Sequence, residues 1–322
     1  MRAIRIHETG GPDVLKLEEV DLPKPGPGEV RLRQHAVGVN YLDVRYRNGF
    51  YAGPQLPFTP GNEGAGEVVE VGPSVKEFKP GDRVAYGGSI GAYAEERNIE
   101  ARYLVKLPRG ISYETGAAIM LKGLTAQYLL RQTYRVKEGD TMLVHAAAGG
   151  VGLILCQWGR ALGATVIGTV ATADKAKLAK KAGAHHIIVY RDEDFVKRVH
   201  EITNGEKCHV VYDGVGKKTY PGSLECLRPL GTFASFGSAS GVIDAFDIGL
   251  LRNGSLYATR PTLGAFMADR ERADKMARDL FRAVGAGEVT IEIDKRLPLG
   301  EAAEAHRAFE ARDSVVSLVL VP

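Results

Sequence analysis

The stretch GDTMLVHAAAGGVGLILCQWGR, residues 139–160, decides the fold of this chain. Thr141 to His145 is a short apolar-rich run suited to a buried strand, a glycine-rich corner follows, and a helical pattern begins near Gly150. Ala147, Gly149 and Gly152 occupy the three positions of a dinucleotide-binding fingerprint, with alanine in place of the first glycine. The missing side chain at Gly149 would let the backbone approach a pyrophosphate, and Gly152 would let the helix pack closely on the strand. The N–H groups of Ala148, Gly149, Gly150 and Val151, with the positive end of the helix dipole, would face the phosphates. Such a glycine pattern alone also marks ordinary tight turns; here strand, corner and helix come in the required order.

Downstream, strands alternate with helices. Thr165–Thr169, His186–Tyr190, Val210–Tyr212, Thr232–Phe236 and Leu256–Thr259 are separated by helical stretches near Ala176, Val196 and Leu224. This is the rhythm of a doubly wound parallel sheet with helices on both faces, an α/β fold. Upstream, residues 1–110 read as short strands broken by glycine and proline, with helical periodicity nearly absent, so a largely β unit is expected. Ser112 reads as the N-cap of a helix over Ala117–Met120, and Leu124–Tyr134 resumes a helical pattern. After Pro261 come two amphipathic helices, Asp269–Ala286 and Gly300–Arg312, and a closing strand, Val315–Val321.

Taken together, Gly139, Asp140, Leu143, Ala147, Ala148, Gly149, Gly150, Gly152, Gln157 and Arg160 resemble the signature of the quinone oxidoreductase and zeta-crystallin family, a zinc-free branch of the medium-chain dehydrogenase/reductases. The resemblance covers nearly the whole chain, through GVNYLD near Asn40, KPGDRVAY near Asp82, LKGLTA near Thr125, VVYDGVG near Asp213 and SLYATRP near Arg260. It implies a GroES-like partial β-barrel domain made of residues 1–122 and 261–322, and a Rossmann NADPH-binding domain at 123–260 inserted into it. The cleft between them is the expected site.

The end of the second Rossmann strand bears on the cofactor. An NAD-binding unit usually places Asp or Glu there to hold the ribose 2′-hydroxyl, whereas this chain has Gly168, Thr169, Val170 and Ala171. No carboxylate stands ready to repel a 2′-phosphate, Lys175 follows one short turn later, and Thr172 adds a hydroxyl, so NADPH is expected over NADH. Asp174 is expected to cap or open the next helix. Tyr190, after the third strand, is expected beside the adenine-ribose. The resemblance carries over Asn40, Thr125, Gly214, Phe236, Gly237, Ser238 and Arg312 as contacts to nicotinamide, ribose or phosphate; Phe236–Ser238 also end a strand at the sheet's carboxyl edge, where ligands bind. Arg312 could equally cap a helix C-terminus.

Zinc enzymes of the superfamily carry Gly-His-Glu where this chain has Gly61, Asn62 and Glu63, and no cysteine precedes Cys156. With the eight histidines scattered, no catalytic metal is expected. A quinone accepts a hydride or single electrons readily, so a site that holds a flat ring and aims hydrogen-bond donors at the developing oxyanion suffices. Candidate donors are Asn40, Arg260, Arg45, Tyr51 and Tyr41; tyrosines are more often packing residues and arginines solvated. Family relatives often carry tyrosine at the position of Arg45.

Composition sets the remaining bounds. At 322 residues, 44% hydrophobic and 25% charged, the chain suits two globular domains, and a net charge of +3 without a basic block gives no support for nucleic-acid binding. No apolar run approaches a membrane span and MRAIRIHETG lacks a signal-peptide core, so a cytoplasmic protein is expected. Cys156, Cys208 and Cys226 read as buried, inert thiols. The expected activity is NADPH-dependent quinone reduction. The alternatives are reduction of activated carbon–carbon double bonds in enones and alkenals, and an NADPH-binding structural or RNA-binding role as in some zeta-crystallin relatives. The last nucleotide-domain strand, Leu256–Thr259, leaves an edge that by resemblance pairs with a second copy, giving a homodimer.

Overall fold

The computed structural model describes residues 1–311 and 317–322. The chain divides into two compact units, one of residues 1–124, 267–285 and 291–322, the other of residues 125–266 and 286–290.

In the first unit β1 (Arg2–Arg5) and β2 (Lys16–Glu19) form an antiparallel pair. A larger sheet contains β3 (Glu29–Val39), β4 (Glu63–Val71), β5 (Arg83–Gly87), β6 (Glu96–Glu100), β7 (Val105–Lys106), β14 (Ile293–Pro298) and β15 (Ser317–Val321), in the order β14-β15-β3-β4-β5-β7 with β6 also on β3. Its core is aliphatic and aromatic, with Ile4, Ile6, Leu32, Val84, Tyr86, Tyr93, Leu318 and Leu320 buried together. Helices α8 (Arg270–Gly285) and α9 (Ala302–Ala311) complete it; α9 buries Ala302, Ala305 and His306. Of the tail predicted from the sequence, Arg312, Val315 and Val316 lie outside the described residues.

Two sequence expectations are corrected here. The first 110 residues do hold a helix, α1 (Tyr41–Arg47), opened at Asn40 by a reach-back bond from the Asn40 N–H to Asp43 Oδ2 at 2.8 Å. That N-cap-x-x-acid spacing outweighs the surrounding β texture. The two helical patterns before Tyr134 are one element, α2 (Tyr113–Tyr128), prolonged by a π-helical turn over Leu129–Thr133. Its expected cap holds, since Ser112 Oγ accepts the Thr115 N–H at 3.1 Å.

The second unit is built on six parallel strands: β8 (Thr141–Val144), β9 (Thr165–Val170), β10 (His186–Val189), β11 (Cys208–Asp213), β12 (Leu227–Ser235) and β13 (Tyr257–Thr259). Their spatial order is β10-β9-β8-β11-β12-β13. The connections run outward in both directions from the β8–β11 pair, which is the switch point of a doubly wound sheet. Linking helices are α3 (Gly150–Ala161), α4 (Ala173–Lys181), α5 (Phe195–Ile202) and α6 (Gly222–Glu225), with α7 (Leu263–Met267) after the last strand. Strands buried on both faces need near-continuous apolar sequence, and Met142–Val144, Val166–Ile167 and Val210–Tyr212 supply it. The three cysteines are buried, and desolvation pushes the Cys156 and Cys208 thiols up to about 12.

Candidate active site

The turn after β8 is set by backbone sterics. Ala146 sits in the left-handed region with φ 53°, Gly149 caps α3, and the Gly149 N–H returns to Ala146 O at 2.8 Å. A Cβ on Gly152 would lie 2.3 Å from Ala146 O and 2.8 Å from Ala147 Cα, so only glycine lets α3 pack against the corner. Gly168 on β9 is fixed similarly, since a Cβ there would lie 2.8 Å from Ala147 Cβ. Gly149 is different. A Cβ added there meets only Ala146 O, at 3.2 Å, so its own fold makes little demand for glycine. A cradle that a side chain would fill, lined by the first-turn N–H groups of Gly150 and Val151, is the form a phosphate site takes.

At the end of β9 the cap is Thr172, whose Oγ1 accepts the Lys175 N–H at 3.4 Å. Of the two places expected for Asp174, cap or opening turn, it takes the second: it lies within the first turn and pairs with Lys177 at 2.8 Å, a bond that holds its carboxyl below the usual range. Thr169 turns inward, 1% exposed, with its hydroxyl 2.9 Å from His145 Nδ1. Tyr190 stands 45% exposed just beyond β10, its N–H on Val170 O.

The carboxyl end of β11 is tied to the segment that follows it and to α6 by Asp213, which is fully buried. It accepts from the Val215 and Gly216 N–H groups at 2.8 and 2.9 Å and from the Thr219 and Ser223 hydroxyls at 2.7 and 3.0 Å. With Ser223 donating to Asp213, His145 Nε2 donates to Ser223 at 3.1 Å. Burial first holds the imidazole below its ordinary value, against the pull of Asp213, so it is neutral. Gly214 and Gly237 meet closely: a Cβ on Gly237 would lie 2.4 Å from Gly214 O. Arg260, after β13, donates to Ser235 O at 2.7 Å and to Ser238 Oγ at 3.3 Å, which gathers Arg260, Phe236, Gly237 and Ser238 at one edge. Thr125, in the last turns of α2, is 9% exposed.

In the first unit Arg45 lies over the rings of Tyr41 (4.9 Å) and Phe50 (4.1 Å), and Tyr51 packs edge-on to Phe50 at 5.1 Å. Arg45 and Tyr51 are thus neighbours around the Phe50 ring, one over its face and the other edge-on to it. Asn40 is 5% exposed, and its Nδ2 donates to Glu63 Oε1 at 2.7 Å.

Beneath α1 runs a buried polar cluster that the sequence reading did not assemble. Asp43 accepts from Asn62 Nδ2 (2.7 Å) and Tyr93 Oη (3.2 Å); Tyr93 Oη is 3.0 Å from His306 Nε2; Arg47 donates to His306 Nδ1 (3.3 Å) and, with two bonds, to Glu310. Because a guanidinium only donates, His306 Nδ1 accepts and Nε2–H donates to Tyr93, whose hydroxyl in turn donates a hydrogen bond to Asp43. Burial, then the Arg47 charge, lowers His306 to about 3, whereas burial raises Asp43 to about 7 against its hydrogen bonds. The one local signal was the Asn40-x-x-Asp43 spacing.

A sheet with this strand order, a glycine corner opening a helix at its switch point and a separate β unit define a two-domain dehydrogenase/reductase dependent on a dinucleotide. Residues 26–109 match the alcohol dehydrogenase GroES-like domain and residues 150–283 the zinc-binding dehydrogenase family. A quinone oxidoreductase of Pseudomonas aeruginosa is 50% identical over 323 residues, covering 100% of this chain and 99% of its own length. A 2-haloacrylate reductase of a Burkholderia species is 47% identical, covering 98% of each chain. The crystal structure of Escherichia coli quinone oxidoreductase complexed with NADPH superposes with a TM-score of 0.96 at 44% identity, covering 100% of both chains. The chain belongs to the quinone oxidoreductase family of the medium-chain dehydrogenase/reductases.

The residues present do not fit the zinc of that wider superfamily. Asn40 and Asn62 offer carboxamides in place of thiolate or imidazole, and Glu63 is already bonded to Asn40, to the Leu121 N–H at 2.7 Å and to the Lys122 ammonium at 3.0 Å. A second cation beside that ammonium would meet repulsion at both ligands.

Proposed function

We propose that this protein is an NADPH-dependent quinone oxidoreductase that reduces small quinones without a metal. Full-length similarity, at 50% identity, to a quinone oxidoreductase carries this reading. In the proposed arrangement Ala148, Gly149, Gly150 and Val151 hold the pyrophosphate on backbone N–H groups. Gly168 and Thr169 leave the β9 end free of carboxylate, Thr169 acting through its backbone, and Thr172, Lys175 and Tyr190 face the adenosine and its 2′-phosphate. Thr125, Gly214, Phe236, Gly237 and Ser238 contact the ribose and nicotinamide end; Arg312, also assigned there, lies outside the described residues.

The cofactor supplies the hydride. The chain's part is to hold a flat acceptor in line with it and to place donors at the oxygen that gains charge. Asn40 and Arg260 are proposed as those donors. Arg260 is already oriented by Ser235 O. Arg45 over Phe50 and Tyr51 edge-on to the same ring form an aromatic and cationic corner against which a flat acceptor can pack. Reduction of activated double bonds is the second reading, favoured by the 47% identity to a 2-haloacrylate reductase.

A homodimer is proposed through β13, which pairs only with β12 among the described residues. Tyr257 on that edge is 62% exposed and Ile248 before it 76%, apolar surface that a second copy would cover. No described helix is long and apolar enough to cross a membrane, and we place the protein in the cytoplasm. The deciding assay follows oxidation of NADPH and NADH in parallel with a simple quinone and a simple enone. Faster turnover with NADPH and quinone is expected. Much faster enone turnover would transfer the assignment to double-bond reduction, and NADH preference would remove the cofactor assignment.

A further inference from the structure

Lys122 is an unusual residue for its place. It is 5% exposed inside the apolar run AAIMLKGLTA of α2, and the reaction as described makes no use of it. We propose that Lys122 is a positioning residue: its ammonium pairs with the Glu63 carboxylate, and Glu63 in turn holds the Asn40 carboxamide with one N–H on Oε1, so that the other N–H of the same NH2 is offered to bound ligand. This rests on the role given to Asn40 above.

The geometry carries the argument. Glu63 Oε1 receives two donors, Asn40 Nδ2 at 2.7 Å and Lys122 Nζ at 3.0 Å, while Oε2 receives the Leu121 N–H at 2.7 Å. An ionised carboxylate only accepts, so the amide is forced to present its NH2; the flipped amide would set oxygen against oxygen. Neither partner is free to drift. A Cβ on Gly38 would lie 2.3 Å from Oε1 and 2.2 Å from Ala117 O, so the strand backbone walls in the carboxylate, and Lys122 Nζ is tied to Ala118 O at 3.1 Å. The titratable groups facing Glu63 are Lys122 from α2, Asp43 from α1, Tyr86 from β5 and Tyr93 from the segment before β6. Three of these are acids, so among them the positive charge comes from Lys122.

Replacing Lys122 by methionine leaves a fully buried carboxylate without its cation. Such a group takes up a proton. With Leu121 N–H holding Oε2 as acceptor, the proton sits on Oε1, which becomes a donor, and Asn40 turns its carbonyl inward to meet it. The ligand oxygen then faces a carbonyl where it had an N–H. Raising the pH removes the proton and restores the original orientation. In Glu63→Gln the side-chain carbonyl stays on the Leu121 N–H, so an NH2 faces Asn40 at every pH.

The experiment measures kcat and KM for NADPH and quinone from about pH 6 to about pH 9 in wild type, Lys122→Met, Glu63→Gln and Asn40→Ala, with thermal unfolding of each. Expected are losses in kcat/KM of about tenfold or more near pH 6 in all three variants, with Lys122→Met returning toward wild type at the alkaline end and Glu63→Gln remaining flat. Wild-type activity in Asn40→Ala would overturn the reading of Asn40. Impaired Asn40→Ala beside an unimpaired Glu63→Gln, or a Lys122→Met loss that does not change with pH, would overturn this inference alone. If Lys122→Met does not fold, Glu63→Gln, nearly identical in shape to the native residue, decides by the same tenfold criterion.

Discussion

The corner after β8 and the cluster beneath α1 are built from opposite materials. From Ala146 to Gly152 the chain has no ionisable side chain and works through backbone N–H groups and absent Cβ atoms. The cluster from Asn62 through Asp43, Tyr93, His306 and Arg47 to Glu310 is made of polar side chains in the interior, joined across as many as 263 residues of sequence. The first holds no charge and is closed to a larger side chain at Gly152 while open at Gly149; the second holds charge at the cost of depending on every partner being present.

The largest test of that contrast is Gly152→Val. Its Cβ has nowhere to go, and we expect destabilisation of roughly 3 kcal/mol or more, read as a fall in the urea midpoint. Gly149→Ala, open on all sides but one, should change stability by less than about 1 kcal/mol yet weaken NADPH binding about tenfold. Equal effects of the two on stability would mean that the cradle at Gly149 is packing and not a ligand surface.

On the other side, Arg47→Met removes a guanidinium only 1% exposed and leaves His306 and Glu310 without their donor. Breaking a buried pair costs about 3–5 kcal/mol; because Glu310 is 34% exposed and water can reach it, about 2 kcal/mol is expected. A neutral outcome would show that the cluster is held by packing alone.

The cluster also has a pH signature that the corner lacks. His306 at about 3 takes up a proton on unfolding anywhere between that value and its ordinary 6.5, so its contribution is present above this window and lost as pH falls through it. Asp43 runs the other way. Raised from 3.8 to about 7, it releases a proton on unfolding in that interval, so its contribution is present below 3.8 and lost as pH rises through 7. In wild type the two slopes oppose each other where the windows overlap. Asp43→Asn should therefore gain stability with rising pH between about 4 and 6, and His306→Gln should lose it, each by up to about 1.4 kcal/mol per pH unit. Parallel slopes in the two variants would refute the assignment of charge states. The smallest effect on stability belongs to Lys175→Ala, for which unchanged unfolding and about tenfold weaker binding of NADPH but not NADH are expected by titration.

What could be read from sequence divides along the same line. Ala147, Gly149 and Gly152 lie within six residues, and their spacing is local to one strand, corner and helix, so the corner and the parallel sheet around it were legible. The same reasoning placed the absent carboxylate at β9. It left open whether Asp174 caps α4 or sits in its first turn, because Thr172 and Asp174 are both good caps and only the backbone geometry chooses between them. It passed over Lys122, Asp43 and Asp213, whose partners become neighbours only when β4, α1, α2 and α9, or β8, β11 and α6, are assembled. A charged residue within an apolar run was the one trace that Lys122 left.

The tether between Arg260 and Ser235 O has a further consequence. A free arginine on a surface trades conformers and drags water with it, so its field adjusts after a charge moves nearby. Bound to a main-chain carbonyl at the end of a packed strand, this guanidinium has surrendered most of that freedom when the chain folds. The part of its orientation fixed by that bond is in place before a negatively charged group arrives beside Ser238, so less ordering is left for the moment of reaction.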